Sequence, residues 1–177
     1  MKKKPEKFID FTAVDWNSID DEKLRFCFKE AVEANDSVLT SIDNINNKAY
    51  QFLAIASAMA AALVGFLLSV WGEADKKTVT VAALFGCIWL GLIMVALLLA
   101  ILPRMVYLGR ATPESMFSSD LYKSPMVKLL ADGIASYHHY ICSNRKVVKF
   151  RSFFLTIGIC GFFLIPFVAV VLLLFLF

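Results

Sequence analysis

One pattern constrains this chain more than any other: a heptad repeat that passes without a break into an uncharged apolar stretch. Spacings of four and three alternate along the first part, as on a helix with one buried face. The repeat consists of Leu24, Phe28, Ala31, Asn35, Val38, Ile42, Ile45, Ala49 and Phe52. No charged residue then occurs until after Trp71. The pattern predicts one near-continuous helix of about 70 Å, more than twice the roughly 30 Å of a hydrocarbon core.

The composition indicates a membrane protein. Hydrophobic residues make up 59% of the 177 residues, against about 45–50% in soluble domains. They are concentrated in three blocks, at 50–71, 78–102 and 152–177. Each block is long enough to cross a bilayer as a helix. We therefore predict an all-α polytopic membrane protein with three transmembrane helices, the first two joined by a short hairpin at 72–77.

A second heptad repeat precedes the third block. Its members are Val127, Leu130, Ile134, Tyr137, Ile141, Asn144 and Val148. The sequence thus predicts two cytosolic helical stalks, continuous with spans one and three. The predicted organisation is an N-terminal cytosolic arm (1–20), a cytosolic helix (21–48), a transmembrane hairpin (49–103), a cytosolic loop (104–126), a second cytosolic helix (127–151) and the third transmembrane helix (152–177). Ser18, followed by Asp21 and Glu22, resembles a capping box that starts the first helix near Ile19 or Asp20.

Each heptad repeat contains one asparagine, Asn35 in the first and Asn144 in the second. An asparagine on an otherwise apolar seam often fixes the register between helices, at some cost in stability. The alternative is a seam position that is partly solvated. We predict that both residues are register or switch positions, where the packing of the stalks could change.

The first apolar block carries small residues at intervals of four. They form two ladders, one of Ala54, Ala58 and Ala62, the other of Ser57, Ala61, Gly65 and Ser69. Small residues let helix backbones approach closely in lipid, where dispersion contacts hold helices together. The ladders predict a tightly packed helix face, with span two, span three or another copy of the chain as its partner.

The basic residues predict the orientation in the membrane. Residues 1–48 hold eight Lys and Arg, the hairpin 72–77 holds two, and residues 104–151 hold eight. The positive-inside rule then places the N-terminus in the cytoplasm and the C-terminus at the outer face. Lys48, Arg104, Lys149 and Arg151 would form a basic ring at the inner surface. Such residues serve either as topology anchors or as contacts for an anionic ligand or lipid. The candidates for ligand binding are Lys48, Arg104, Arg145, Lys146 and Lys149.

Several function classes are disfavoured. The chain has none of the common phosphate-loop, dinucleotide, zinc-protease or serine-hydrolase motifs, and its four cysteines show no CxxC spacing. His138 and Cys142 can share a helix face, but two ligands do not make a zinc site. The three blocks contain no Asp, Glu, Lys, Arg or His, unlike most ion-coupled transporters. We expect neither catalysis, nor a cofactor or metal, nor a nucleic-acid partner, although the mild net charge of +3 says little about the last.

The order of these segments resembles a known family. An amphipathic helix ends in Asn47-Lys48-Ala49, the second span closes on Leu102-Pro103-Arg104, and a second helix ends in Asn144-Arg145-Lys146. Over residues 21–177 this arrangement resembles the Pycsar transmembrane effectors of bacterial anti-phage defence. The resemblance implies an inner-membrane protein that responds to a cyclic pyrimidine nucleotide, made by a cytosolic cyclase after infection, by compromising the membrane.

Two hypotheses of different class follow. In the first, a cyclic nucleotide or a cytosolic protein triggers the stalks, and the chain assembles as a homo-oligomer in the lipid bilayer and disrupts the membrane in abortive infection. In the second, the chain is a non-enzymatic membrane scaffold that recruits a cytosolic partner. A small transporter or membrane enzyme is a weaker third.

Overall fold

The computed structural model describes residues 14–71, 77–109 and 124–176. One turn of 3₁₀ helix, Trp16–Ser18, precedes three long helices: α1 (Asp21–Val70), α2 (Lys77–Ile101) and α3 (Met126–Leu176). This described part contains no strand, and all three helices are long and apolar enough to cross a membrane. The prediction of an all-helical protein with three candidate spans is therefore confirmed.

Helix α1 begins differently from the predicted capping box. The Ser18 hydroxyl donates to the carbonyl of Asp15 (2.7 Å) inside the preceding turn, so it does not cap α1. The Asp20 carbonyl instead accepts from the Leu24 amide (3.0 Å), and α1 begins at Asp21. Asp21 and Glu22 stand in the first turn of α1, where negative charge interacts favourably with the helix dipole.

The heptad repeats correspond to the inward faces of α1 and α3. All nine members of the first repeat are buried or partly buried, and so are all seven of the second. Helix α1 is one element from Asp21 to Val70 and α3 is one element from Met126 to Leu176, so the change from heptad to apolar sequence interrupts neither helix. The helical periodicity of the sequence therefore predicted which faces are covered.

The chain divides into two compact units. The first unit consists of the described residues of Met1–Leu39 and Val106–Asn144, and the second of those of Thr40–Met105 and Arg145–Phe177. In the first unit the Phe28 ring meets Tyr137 edge to face, with ring centroids 5.6 Å apart. A Cβ on Gly133 would lie 2.6 Å from that Phe28 ring, so the absence of a side chain at Gly133 makes room for the ring.

The second unit has an apolar core to which all three helices contribute. Its buried members are Ile45, Ala49, Ala56, Leu90, Ile93, Leu97, Ala100 and Leu155. Gly158 and Gly161 of α3 lie against Leu97 and Ile93 of α2, and the Trp89 indole donates to the Gly161 carbonyl (3.0 Å). The glycines thus allow the close packing of α3 on α2 that is typical of helices in lipid.

Candidate functional site: two buried polar clusters

The first unit buries a pair of asparagines. Asn35 of α1 and Asn144 of α3 both have 0% of their surface exposed. The Asn144 side-chain amide donates to the Asn35 side-chain oxygen over 3.1 Å. The two heptad asparagines thus meet each other, which the sequence pattern alone left open.

The connecting segment after α2 completes this cluster. The Tyr107 amide donates to Asn144 Oδ1 (2.9 Å), and Asn144 Nδ2 donates back to the Tyr107 carbonyl (2.8 Å). Asn35 Nδ2 reaches the Leu108 carbonyl at 3.4 Å. Every polar atom of the two side-chain amides therefore has a partner, as burial demands. We call these two side chains, with the backbone of Tyr107 and Leu108, the asparagine cluster.

Aromatic rings and a glycine hold the same segment in place. The Tyr107 ring stacks on Tyr140, with centroids 5.5 Å apart and planes 8° apart, and meets His139 edge to face at 5.9 Å. Gly109 has φ +72°, and a Cβ there would lie 2.5 Å from Tyr137 Cε1. This position therefore requires glycine for both its backbone conformation and its space.

The second unit buries an arginine. Arg151 of α3 is 5% exposed, and its guanidinium donates to Asn46 Oδ1 of α1 (2.8 Å) and to the Leu102 carbonyl just after α2 (3.2 Å). Its Nε is buried and finds no hydrogen-bond partner within 14–71, 77–109 and 124–176. One side chain of α3 thereby contacts α1 and supplies a donor at the carbonyl end of α2, where helix carbonyls lack partners. We call this group the Arg151 cluster.

A second arginine, Arg104, lies near the Arg151 cluster. The exposed Arg104 guanidinium lies 3.5 Å from the centre of the Phe150 ring, a cation–π contact. Arg151 precedes the third apolar block; burial lowers the pKa of its guanidinium, nearby Arg104 lowers it further, and Asp43 and Tyr50 raise it. Because a guanidinium is a very strong base, Arg151 remains a cation.

The five predicted ligand-binding residues all lie in the second unit. Lys48, Arg104, Arg145, Lys146 and Lys149 are exposed. Arg145 and Lys149 are one turn apart on α3 and share a face, whereas Lys48 lies on α1 and Arg104 follows α2. Their role toward an anionic ligand stays a prediction.

The small-residue ladders of α1 are not covered by the part of the chain that the structure describes. Ala54, Ala58, Ala62, Ser57, Ala61 and Gly65 are all exposed. A Cβ on Gly65 would meet no described atom within 4 Å, while the Ser57 hydroxyl donates to the Leu53 carbonyl of its own helix (2.7 Å). Of the intervening residues, Ala56 belongs to the apolar core instead, and the partly buried Leu63 packs against it. Among the described residues, the predicted packing face thus has no partner helix.

Sequence reasoning assigned Arg151 to a basic ring and missed its buried contacts. The signal was present, because Val148 follows Asn144 by four positions and Arg151 follows Val148 by three, so that Arg151 continues the second heptad repeat. Asn46, its partner, stands beside Ile45 on the first repeat. The contacts of Tyr107 could not be predicted in this way, because a short segment without regular secondary structure has no periodicity.

The cysteines and histidines form no larger group in the described residues. Cys142 Sγ lies 3.6 Å from His138 Nε2 on the same helix. Across 14–71, 77–109 and 124–176 no three side chains of His, Cys, Asp or Glu are close enough together to hold a metal ion.

Comparison with known protein families gives a match. No curated protein and no solved structure matches the chain. The model of the Pycsar effector protein domain, PycTM, matches residues 30–177, a range that includes both polar clusters and all three apolar blocks. Because this match covers far more than half of the sequence, the chain belongs to the Pycsar effector family.

Proposed function

We propose that this protein is a non-enzymatic membrane effector of an anti-phage system, triggered on its cytosolic side, that oligomerises and disrupts the bacterial inner membrane. One observation carries the proposal. Helices α1 and α3 each join, in a single element, a residue of the buried asparagine cluster to a long apolar segment. A change of packing at the asparagines is therefore covalently connected to the segments that would lie in lipid. Membership of the Pycsar effector family supports the defence role.

The orientation belongs to the proposal. Eight basic residues in 1–48 and eight in 104–151, against two in 72–77, favour a cytoplasmic N-terminus and a C-terminus at the outer face. The heptad parts of α1 and α3 are then two cytosolic stalks. A thiol reagent that cannot cross membranes should reach Cys27, in a variant lacking the other three cysteines, only after the inner membrane is opened.

The proposed trigger is a cyclic nucleotide, whose phosphate would meet exposed cations. Lys48, Arg104, Arg145, Lys146 and Lys149 are exposed members of one unit. Basic side chains are the usual partners of phosphate groups. The ligand must favour one packing of the helices over the other, because equal affinity for two states shifts nothing.

The proposed assembly uses the open face of α1. In lipid, small residues such as Ala58, Ala61 and Gly65 let a second helix approach closely. A second copy of α1 is the partner that this geometry favours once the trigger has acted. Substituting Ala58 and Ala61 by Leu should then prevent oligomers in crosslinked membranes, while Leu68→Ala, a change at another exposed position of α1, should not.

The test is inducible expression in cells carrying a membrane-potential dye, with phage infection or an added cyclic nucleotide as the trigger. Wild type should depolarise the cells after the trigger. The double variant Lys48→Glu, Arg104→Glu should not, whereas Lys23→Glu, Lys128→Glu, which reverses two exposed charges of the first unit, should behave as wild type.

Topology must be mapped for both double variants with the thiol reagent, since charge reversal can also change orientation. If the first double variant keeps wild-type topology and still depolarises after the trigger, the basic residues are not the ligand contact. If wild type leaves the potential intact and instead co-purifies with a stoichiometric cytosolic protein, the chain is a scaffold.

A further inference from the structure

The segment at 106–109 makes more hydrogen bonds to the helices than a connection between helices requires. It has no regular secondary structure, and the backbone groups of such connections are usually hydrated. Here three of them, the Tyr107 amide and the carbonyls of Tyr107 and Leu108, are hydrogen-bonded to side chains of the asparagine cluster. Asn144 pairs with Tyr107 through both an acceptor and a donor, as a neighbouring strand would.

Packing also fixes the position of this segment. Tyr107 stacks on Tyr140, and Gly109 turns the chain at φ +72° with no room for a Cβ beside Tyr137. Two independent features, a stacked ring and a steric limit, thus select the same position of the segment.

The same polar atoms bind segment 106–109 and join α1 to α3 in the first unit. Asn144 Nδ2 donates both to the Tyr107 carbonyl and to Asn35 Oδ1. If the segment leaves, Asn144 Oδ1 loses the Tyr107 amide and Asn35 Nδ2 loses the Leu108 carbonyl. Both side chains are fully buried, and a buried polar group without a partner is costly. Departure of the segment therefore destabilises the present packing of α1 against α3 in this unit.

We propose that residues 106–109 are an autoinhibitory latch, which holds α1 and α3 of the first unit in the resting packing. The latch must separate from Asn35 and Asn144 before the two helices can repack. This regulation rests on the proposed function, because it supplies the step that the trigger would have to promote. The latch acts from within the chain, so opening it by mutation replaces the trigger.

The test uses the full chain in lipid nanodiscs and hydrogen–deuterium exchange measured by mass spectrometry. Gly109→Ala should open the latch, since its Cβ collides with Tyr137. Amides of 106–109, and those around Asn35 and Asn144, should exchange about tenfold faster or more. Tyr107→Ala, which removes the stacked ring and leaves the backbone bonds, should give a smaller increase of the same pattern and guards against misfolding of the first variant.

Two matched controls should exchange as wild type. Gly91→Ala adds the same methyl group where nothing lies within 4 Å. Leu108→Ala removes a side chain that is 65% exposed from within the latch itself. The proposal is overturned if Gly109→Ala and Tyr107→Ala leave exchange at 106–109 unchanged, or speed it there without any change around Asn35 and Asn144.

The same variants in cells test the autoinhibitory role. Gly109→Ala should depolarise the membrane without infection or nucleotide, to the extent that triggered wild type does. If it opens in nanodiscs yet stays silent in cells where wild type depolarises on infection, the latch is not autoinhibitory. If wild type also stays silent, the proposed function fails, and the exchange pattern alone decides whether the latch exists.

Discussion

The two units bury polar groups in opposite ways. In the first, two neutral amides with 0% exposure have all their polar atoms paired. The second has an apolar core of small and aliphatic residues, and it buries a cationic side chain, Arg151, whose Nε has no hydrogen-bond partner among the described residues. The first arrangement specifies one register, because sliding either helix breaks several hydrogen bonds together. The second relies on close contact, which tolerates a local change better.

This difference indicates that a conformational change of this protein would start in the first unit. A fully paired amide cluster has two distinct conditions, paired and broken, with little between them. A packed apolar core loses energy gradually as side chains shift. We therefore expect substitutions in the asparagine cluster to have larger effects than substitutions of comparable size in the second unit.

The largest expected effect is that of Asn144→Ala. It removes the partners of the Tyr107 amide, the Tyr107 carbonyl and Asn35 Oδ1 at once. At about 1–3 kcal/mol for each buried group left unpaired, and with water reaching the half-buried Tyr107, the loss in free energy of unfolding should be about 3–5 kcal/mol. Unfolding of the detergent-solubilised protein by sodium dodecyl sulfate measures it.

A double-mutant cycle with Asn35→Ala sharpens this prediction. Because the two side chains share a hydrogen bond and a common segment, the double variant should lose clearly less than the sum of the single losses. Additive losses would show that the asparagines act independently, and the contrast between the units would then lose its physical basis.

The next effect is that of Arg151→Met. It removes two hydrogen bonds from a charged donor, to Asn46 and to the Leu102 carbonyl, but also relieves the burial of a cation. The net effect should be a decrease of about 2 kcal/mol in the free energy of unfolding, measured by the same unfolding with sodium dodecyl sulfate. Arg151→Lys keeps the charge without the planar fork and should lose about half as much. A Met variant as stable as wild type would mean that burial of the charge outweighs its hydrogen bonds.

Much of this fold could be predicted from periodicity alone. Spacings of four and three identify the covered faces of α1 and α3, because 3.6 residues per turn bring such positions to one side. Length and hydropathy identify the candidate spans. The same arithmetic placed Asn35 and Asn144 on inward faces, and it would have placed Arg151 there if the second repeat had been followed three residues beyond Val148.

The remaining features follow from contacts that no local pattern encodes. Tyr107 is hydrogen-bonded to Asn144, 37 positions away along the chain, and Leu108 is hydrogen-bonded to Asn35, 73 positions away. Ladders of small residues predict close packing without naming a partner, and here the buried side of the first apolar block is the one with Ala56 and Leu63. Basic residues beside apolar blocks are so common for topological reasons that their spacing did not reveal the buried one.

Three glycines of the second unit predict a graded series of smaller effects. A Cβ on Gly158 would lie 2.7 Å from Leu97 Cδ2 and 2.9 Å from Leu97 Cγ, so Leu97 must move as a whole; Gly158→Ala should cost about 1–2 kcal/mol. A Cβ on Gly86 meets only the mobile end of Leu63 (2.8 Å), and Gly86→Ala should cost less. Gly91→Ala, in open space, should be neutral or slightly stabilising.

The order of this series matters more than its size. Thermal unfolding midpoints in detergent rank the three variants under one set of conditions. If Gly91→Ala lowered the unfolding midpoint most, that glycine would contact a partner outside the single chain. The second unit would then be part of an interface.

The smallest expected effect is at the exposed ion pairs of α1. Lys29 and Glu33 lie 3.8 Å apart with 75% and 61% of their side chains exposed, and Arg25 and Asp21 lie 3.6 Å apart at similar exposure. Such pairs contribute about 0.3–0.5 kcal/mol on a helix and are screened by salt. Lys29→Ala should therefore shift the unfolding midpoint by less than any change above, and raising the salt concentration should remove even that shift. An effect as large as that of Asn144→Ala would mean that the outer face of α1 is covered by a partner, and that buried amides are not what sets the first unit apart.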